Sequence, residues 1–192
     1  MNQKINVVIF LSFLSIVCMA KEQNTLRSDS VYNISTTWNN QNSEPVKLQN
    51  FRGKPVVLAM VYTSCRSACP LIASDMQKIE EGLSSTDKDK VQFALFSFDT
   101  ENDLPHKLKE FAQAHKLDLK RWSLMTAQPS AVRELAAVLG VQYKENASGN
   151  FSHSNIITIL DADGKIQSQQ LGLKQDPKTS IQVVSALLNK KQ

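Results

Sequence analysis

The chain has few cysteines and histidines, the side chains that bind soft metals. Its 192 residues hold three cysteines and three histidines. Three cysteines cannot build the dense disulfide framework of a small secreted scaffold. The longest apolar run, Val7 to Met19, covers 13 residues, fewer than the roughly 17–25 of a membrane-spanning helix. The formal charge is only +4, and no Lys/Arg stripe interleaved with aromatics marks a nucleic-acid surface. Low-complexity tracts and internal repeats are absent too. What remains is a chain long enough for one domain with a real core.

The apolar run has a pattern of its own. Lys4 precedes it, Ala20 follows, and the charged Lys21-Glu22 comes next. A basic start, a short apolar stretch and a small-residue boundary make residues 1–20 a secretory signal, with a membrane anchor as the alternative. Cys18 lacks the leucine and small residue that usually precede a lipidated cysteine. Export places the protein in the periplasm or tethers it to the outer face of the inner membrane. Without residues 1–20 the balance is 21 basic to 18 acidic side chains.

That mature chain keeps two cysteines, Cys65 and Cys69, in Thr63-Ser64-Cys65-Arg66-Ser67-Ala68-Cys69-Pro70. In an oxidising compartment a pair usually means a structural disulfide. A loop this short gives little chain-entropy stabilisation, which favours a functional pair. An apolar strand-like run precedes them and a helical pattern follows, with Pro70 suited to a first turn. Residues four apart on a helical turn face the same way. A helix N-terminus also favours thiolate, the form that attacks disulfides and binds metals.

Along the chain, residues 21–44 are polar and rich in Ser, Asn, Thr and Gln, and read as a linker or loosely ordered lead-in with a short strand at Val31–Ile34. A folded domain is expected over 45–192. Pro45–Leu48 is a short strand and Arg52–Pro55 a turn. Val56–Tyr62 is a buried central strand, and Leu71–Leu83 a helix ending near Gly82. Val91–Phe98 is a second strand. Asp103 caps a helix over Leu104–His115. Trp122–Leu124 is a strand, and Ser130–Leu139 a helix closed by Gly140. Asn155–Leu160 and Lys165–Ser168 form a hairpin around Asp161-Ala162-Asp163-Gly164, and Pro177–Asn189 is a closing helix. Such alternation predicts an α/β fold: a thioredoxin-like central mixed sheet with helices on both faces and a small N-terminal hairpin. The cysteines then lie at the carboxyl end of a central strand, where such sheets place their sites.

Of the histidines, His106 and His115 fall on a surface helix and read as solvated. His153 lies in a loop just before the Asn155–Leu160 strand, which in this fold packs beside the reactive helix start. Two thiolates and an imidazole form a soft donor set that suits Cu(I) and, with a further weak donor, Cu(II). For zinc the set is one ligand short of a closed structural site. On loop position alone, a turn histidine bonding a nearby carbonyl explains His153 equally well. Asp99, Arg66 and Trp122 are candidates for the outer shell of the site.

Several segments, taken in order, resemble the SCO/SenC family. They are Gly53-Lys54-Pro55-Val56-Val57-Leu58, Tyr62-Thr63-Ser64-Cys65-Arg66-Ser67-Ala68-Cys69-Pro70, Ser97-Phe98-Asp99, and His153-Ser154 before an apolar strand closed by Asp161-Ala162-Asp163-Gly164. The similarity runs from about Val46 to the C-terminus. It implies an exported thioredoxin-fold copper chaperone that serves the copper A centre of cytochrome c oxidase. By the same resemblance Cys65, Cys69 and His153 match the three copper ligands. The implied partners are oxidase subunit II as acceptor and a copper donor or thiol reductant. Two departures stand out. Thr100 replaces the proline usual after Asp99, and the acidic stretch before the family's histidine shrinks to Glu145.

Other chemistry competes with copper delivery. A thiol–disulfide oxidoreductase would use Cys65 and Cys69 as its redox pair through a mixed disulfide. Exchangers of thioredoxin type space their cysteines by two residues rather than three, and they carry a cis-proline facing the pair. No proline occurs here between Pro129 and Pro177. A peroxidase reading rests on a Thr-x-x-Cys motif whose spacing Thr63-Ser64-Cys65 does not match.

Overall fold

A computed structural model describes residues 26–190 of the chain. The signal reading of residues 1–20, and Cys18 with it, lies outside the described residues. Nine strands and five helices follow in chain order among them: β1 Thr37–Asn40, β2 Pro45–Lys47, β3 Val56–Val61, α1 Ala68–Glu81, the one-turn α2 Ser85–Lys88, β4 Gln92–Ser97, α3 Pro105–Ala114, β5 Trp122–Thr126, α4 Pro129–Leu139, β6 Tyr143–Glu145, β7 Phe151–His153, β8 Ile156–Leu160, β9 Ile166–Leu171 and α5 Lys178–Asn189.

Seven strands form one sheet in the order β2-β1-β5-β4-β3-β8-β9, and β6 pairs with β7 as a separate ribbon. The β3–β4 and β4–β5 ladders are parallel. Those of β1–β2, β1–β5, β3–β8 and β8–β9 are antiparallel. The sheet is therefore mixed, with β3 near its centre. All six β3 residues, Val56 to Val61, are buried, as a strand covered on both faces requires.

Helices cover both faces, and adjacent glutamines of β9 demonstrate it. Successive strand side chains point to opposite faces. Gln170 accepts from the Ser180 hydroxyl of α5 at 2.8 Å, and Gln169 donates to the Leu139 carbonyl that ends α4 at 2.9 Å. Helix α1 lies with α5, since buried Asp75 of α1 accepts the Lys174 N–H just before α5 at 2.6 Å. On α1, Ile72, Met76 and Ile79 are buried together, the apolar stripe that its sequence spacing predicts. Gly140 ends α4 at φ 68°, the left-handed conformation that glycine adopts at little steric cost.

The lead-in departs from expectation. Residues 31–33 form a 3-10 turn rather than a strand, and β1, which lies entirely within 21–44, joins the main sheet. Val31, Tyr32, Ile34 and Trp38 are all buried. Trp38 meets Phe96 of β4 edge-on at 4.9 Å. The reason lies in spacing: four apolar anchors scattered among polar residues carry no periodicity, yet each finds a place in the core. The Asn-rich centre is the β1–β2 turn. There the Asn40 side-chain oxygen accepts from the backbone N–H groups of Asn42 and Glu44, the local bonding that makes asparagine a turn residue.

Two further differences bear on the site. Asp103 does not cap α3; Leu104 occupies that position and Pro105 opens the helix. The Asp103 side chain turns inward and is fully buried. The β6–β7 ribbon stands where a loop is expected before β8, because two three-residue strands of mixed polarity are too short for alternation to show.

Candidate metal centre

Strand β3 ends at Val61, and the chain turns through Tyr62 to Ser67 before α1 begins at Ala68. Cys69 is thus the second residue of the helix, while Cys65 sits in the loop ahead of it. The two sulfurs converge through a backbone bond rather than a shared helical face. The Cys69 N–H donates to Cys65 Sγ at 3.4 Å. This is one of the donors that a helix start leaves without an intrahelical partner. Ser67, at the N-cap, makes no side-chain cap bond, so the Cys65 sulfur takes over part of that function. The preceding turn supplies another donor, since the Tyr62 N–H reaches Cys69 Sγ at 3.4 Å.

His153 arrives from the other side. It ends β7, opposite Tyr143 of β6, and its Nε2 stands 3.7 Å from Cys69 Sγ. Its Nδ1 lies 3.0 Å from the Ser154 carbonyl. A carbonyl only accepts, so Nδ1 carries the proton and Nε2 presents its lone pair towards the sulfurs. The carbonyl bond that explains a turn histidine would equally orient a metal ligand. Rings fix the imidazole from the flank. Phe98 lies 5.1 Å from it and Tyr62 6.0 Å, and Phe98 also stacks on Tyr143 at 5.2 Å.

The ligand atoms of Cys65, Cys69 and His153 all lie within 4.8 Å of one another. First-row metal bonds to sulfur and imidazole are roughly 2.0–2.3 Å long, so these atoms are close to surrounding a single ion. Both cysteines are free thiols. Both are buried, Cys69 completely, and His153 is partly exposed. A metal held here is reached past the imidazole.

The thiols are not equivalent. Burial pushes the Cys65 thiol up, but the backbone N–H groups of Cys69 and Ser67, together with the two side chains, outweigh it and bring it down to about 6. Burial dominates at Cys69 and raises its thiol; the Tyr62 N–H opposes this, and a charged Cys65 adds to it. Two soft thiolates with one imidazole favour a thiophilic ion such as Cu(I). The same inequality gives one ready nucleophile beside one protected thiol.

Of the other residues singled out in the sequence, Asp99 is buried, and its carboxylate accepts from the Asn102 side chain at 2.9 Å. Arg66 is exposed beside Cys65. Trp122 belongs to the opposite end of the sheet: it faces Phe93 in the ladder and donates to Glu80 at 2.7 Å. His106 is exposed; His115 is half-buried against Phe111 at 4.2 Å, and burial lowers its pKa. Sequence reasoning missed the aromatic wall of Tyr62, Phe98, Tyr143 and Phe151. Its members come from four separate segments.

Known proteins share this arrangement of chain. The SCO1 protein homolog of Bacillus subtilis (strain 168) is 26% identical over 148 residues, covering 76% of each chain. Among solved structures, ScoI of Bradyrhizobium japonicum with copper bound superposes with a TM-score of 0.67 at 21% identity, covering 81% of this chain and 96% of that one. BsSco, described as a Sco-family cytochrome c oxidase assembly protein with a disulfide switch, gives 0.71 at 25% identity over 81% and 92%. The family model SCO1/SenC matches residues 26–189, and the chain belongs to that family.

Proposed function

We infer that this protein is a copper metallochaperone that holds copper with Cys65, Cys69 and His153 and delivers it to the copper A site of cytochrome c oxidase. The observation that carries this reading is the convergence of two free thiols and an oriented imidazole within 4.8 Å. Copper is the cargo. The copper-bound ScoI structure supports the choice of metal, as does the softness of the donor set. Binding releases the thiol protons, so uptake weakens as pH falls. Three ligands leave room for an incoming thiolate of the acceptor, which takes over the ion as the ligands here let go one by one. Subunit II of the oxidase is the acceptor; a copper donor loads the site, or a thiol reductant keeps its cysteines reduced for loading.

Export to the periplasm, or tethering to the outer face of the inner membrane, fits this role. Among the described residues no helix is long and apolar enough to cross a membrane.

A second reading, thiol–disulfide exchange on an exported copper-accepting protein, draws support from the unequal thiols. The Cys65 thiolate attacks a partner disulfide, forming a mixed disulfide and releasing one partner thiolate. Cys69 then attacks Cys65 Sγ, closing the intramolecular disulfide and leaving the partner dithiol reduced.

An anaerobic copper titration of the reduced protein beside His153→Ala separates the two. Tight one-to-one binding that collapses in the variant supports the chaperone. Weak binding, or binding indifferent to His153, shifts the assignment to exchange.

A further inference from the structure

Asp103 is fully buried; burial pushes its pKa up, while the bonds from Ser97 and Thr63 favour the ionised, acceptor-only form. Burying a carboxylate is costly unless strong hydrogen bonds compensate. Its bonds come from two places. Oδ2 accepts the Thr63 N–H at 2.9 Å and the Ser97 hydroxyl, and Oδ1 accepts the Thr63 hydroxyl. Ser97 ends β4 and pairs with Val61, the last residue of β3. Thr63 lies two residues before Cys65. One carboxylate therefore ties the loop that leaves β3 to the end of the neighbouring strand.

The tie bears directly on the sulfurs. The Tyr62 N–H points at Cys69 Sγ, and the next N–H, that of Thr63, points at Asp103. Fixing Thr63 holds the Tyr62–Thr63 peptide, which joins through the Tyr62 Cα the peptide whose N–H faces Cys69 Sγ. It also sets where the chain starts towards Cys65. Ser97 is held in turn, since its hydroxyl oxygen accepts the Asp99 N–H at 3.0 Å. An asparagine in place of Asp103 has only one accepting atom and would turn an NH₂ group towards a donor.

We propose that Asp103 is a positioning residue of the sulfur site: by clamping Thr63 to the end of β4 it holds the Cys65 loop in the reduced arrangement that receives metal. The proposal rests on the copper reading for its physiological meaning, but the clamp acts on the cysteines with or without metal. Its loss loosens the loop, weakens metal capture and makes the Cys65–Cys69 disulfide easier to form.

The test uses the full chain with Asp103→Asn, Thr63→Val and Thr63→Ser. It measures copper affinity, the metal-free Cys65–Cys69 reduction potential, and exchange of the Thr63 amide proton. Asp103→Asn is expected to speed Thr63 exchange and to lower copper affinity by about 10–100-fold, the usual cost of losing an outer-shell partner. It should also favour the disulfide about tenfold, a shift of about 30 mV for a two-electron couple. Thr63→Val keeps the carboxylate charge and should move all three readouts the same way, whereas Thr63→Ser should restore them. Folded variants with wild-type affinity and potential and only a lower Tm would reduce Asp103 to a stabilising residue and overturn the proposal. Tighter copper binding in Asp103→Asn would mark a repelling charge rather than a clamp and also overturn it. If Asp103→Asn does not fold, the Thr63 pair decides alone. Failure of the wild-type protein to bind copper would remove the chaperone reading, while the potentials still decide the clamp.

Discussion

The two halves of the candidate metal centre are built differently. The sulfur half sits at the end of β3, the strand buried along its whole length, and Cys69 is itself fully buried at the start of α1. The histidine half sits on a two-stranded ribbon outside the main sheet, whose connecting residues 146–150 are exposed. What joins them is packing: Phe98, from just beyond β4, touches His153, Phe151 and Tyr143. On the proposed reading, two buried thiols with a more accessible imidazole would suit an ion that is bound and later surrendered.

Breaking the sulfur half should have the largest effect. Cys69→Ser is expected to abolish stoichiometric copper binding, measured by anaerobic titration, while far-UV circular dichroism stays native. Copper affinity unchanged in that variant would exclude the three-ligand site. His153→Ala should come next, weakening copper binding by more than about tenfold, above the lower bound seen for outer-shell losses. Because the ribbon lies outside the main sheet, its thermal midpoint should stay close to wild type.

The contrast between the two thiols gives a third test. With Cys65 brought down to about 6, its thiolate forms above that pH and is lost below it. Site-resolved alkylation of the reduced, metal-free protein should plateau above roughly pH 7 and fall about tenfold per unit well below pH 6, following the thiolate fraction. Cys69, raised by burial, should stay nearly unlabelled across that range. Equal labelling of both cysteines at neutral pH would erase the distinction between nucleophile and protected thiol.

The smallest expected effect probes the junction. Phe98→Leu keeps an apolar side chain but removes the ring contacts to His153 and Tyr143. Aromatic pairs contribute about 0.5–1.5 kcal/mol beyond area burial, so copper affinity should fall only a few-fold, with equilibrium denaturation showing a comparable loss. A loss as large as that of His153→Ala would show that packing, not the imidazole alone, sets the third ligand.

The legible parts of the chain were those with a strong local signal. The run from Val56, the helical stripe of α1, Gly140 and the Asp161–Gly164 turn each announce their conformation through a few neighbouring residues. Weak signals misled. Val31 and Trp38 lie among polar residues, so the segment reads as a linker or loosely ordered lead-in with a short strand at Val31–Ile34, although both residues are buried in the core. Asp103, one residue before a helical pattern, resembled a cap because capping and burial begin from the same side-chain chemistry.

From the sequence by itself came the reactive pair, its place between a central strand and a helix, the α/β alternation and the family resemblance that picked out His153. These follow from residue spacing within short windows. The tertiary structure alone decided that His153 approaches Cys69 across 84 residues of chain, that its proton resides on Nδ1, and that Asp103 faces inward to Thr63 and Ser97. Each of those depends on which distant strand ends pack side by side, a choice made by the whole core.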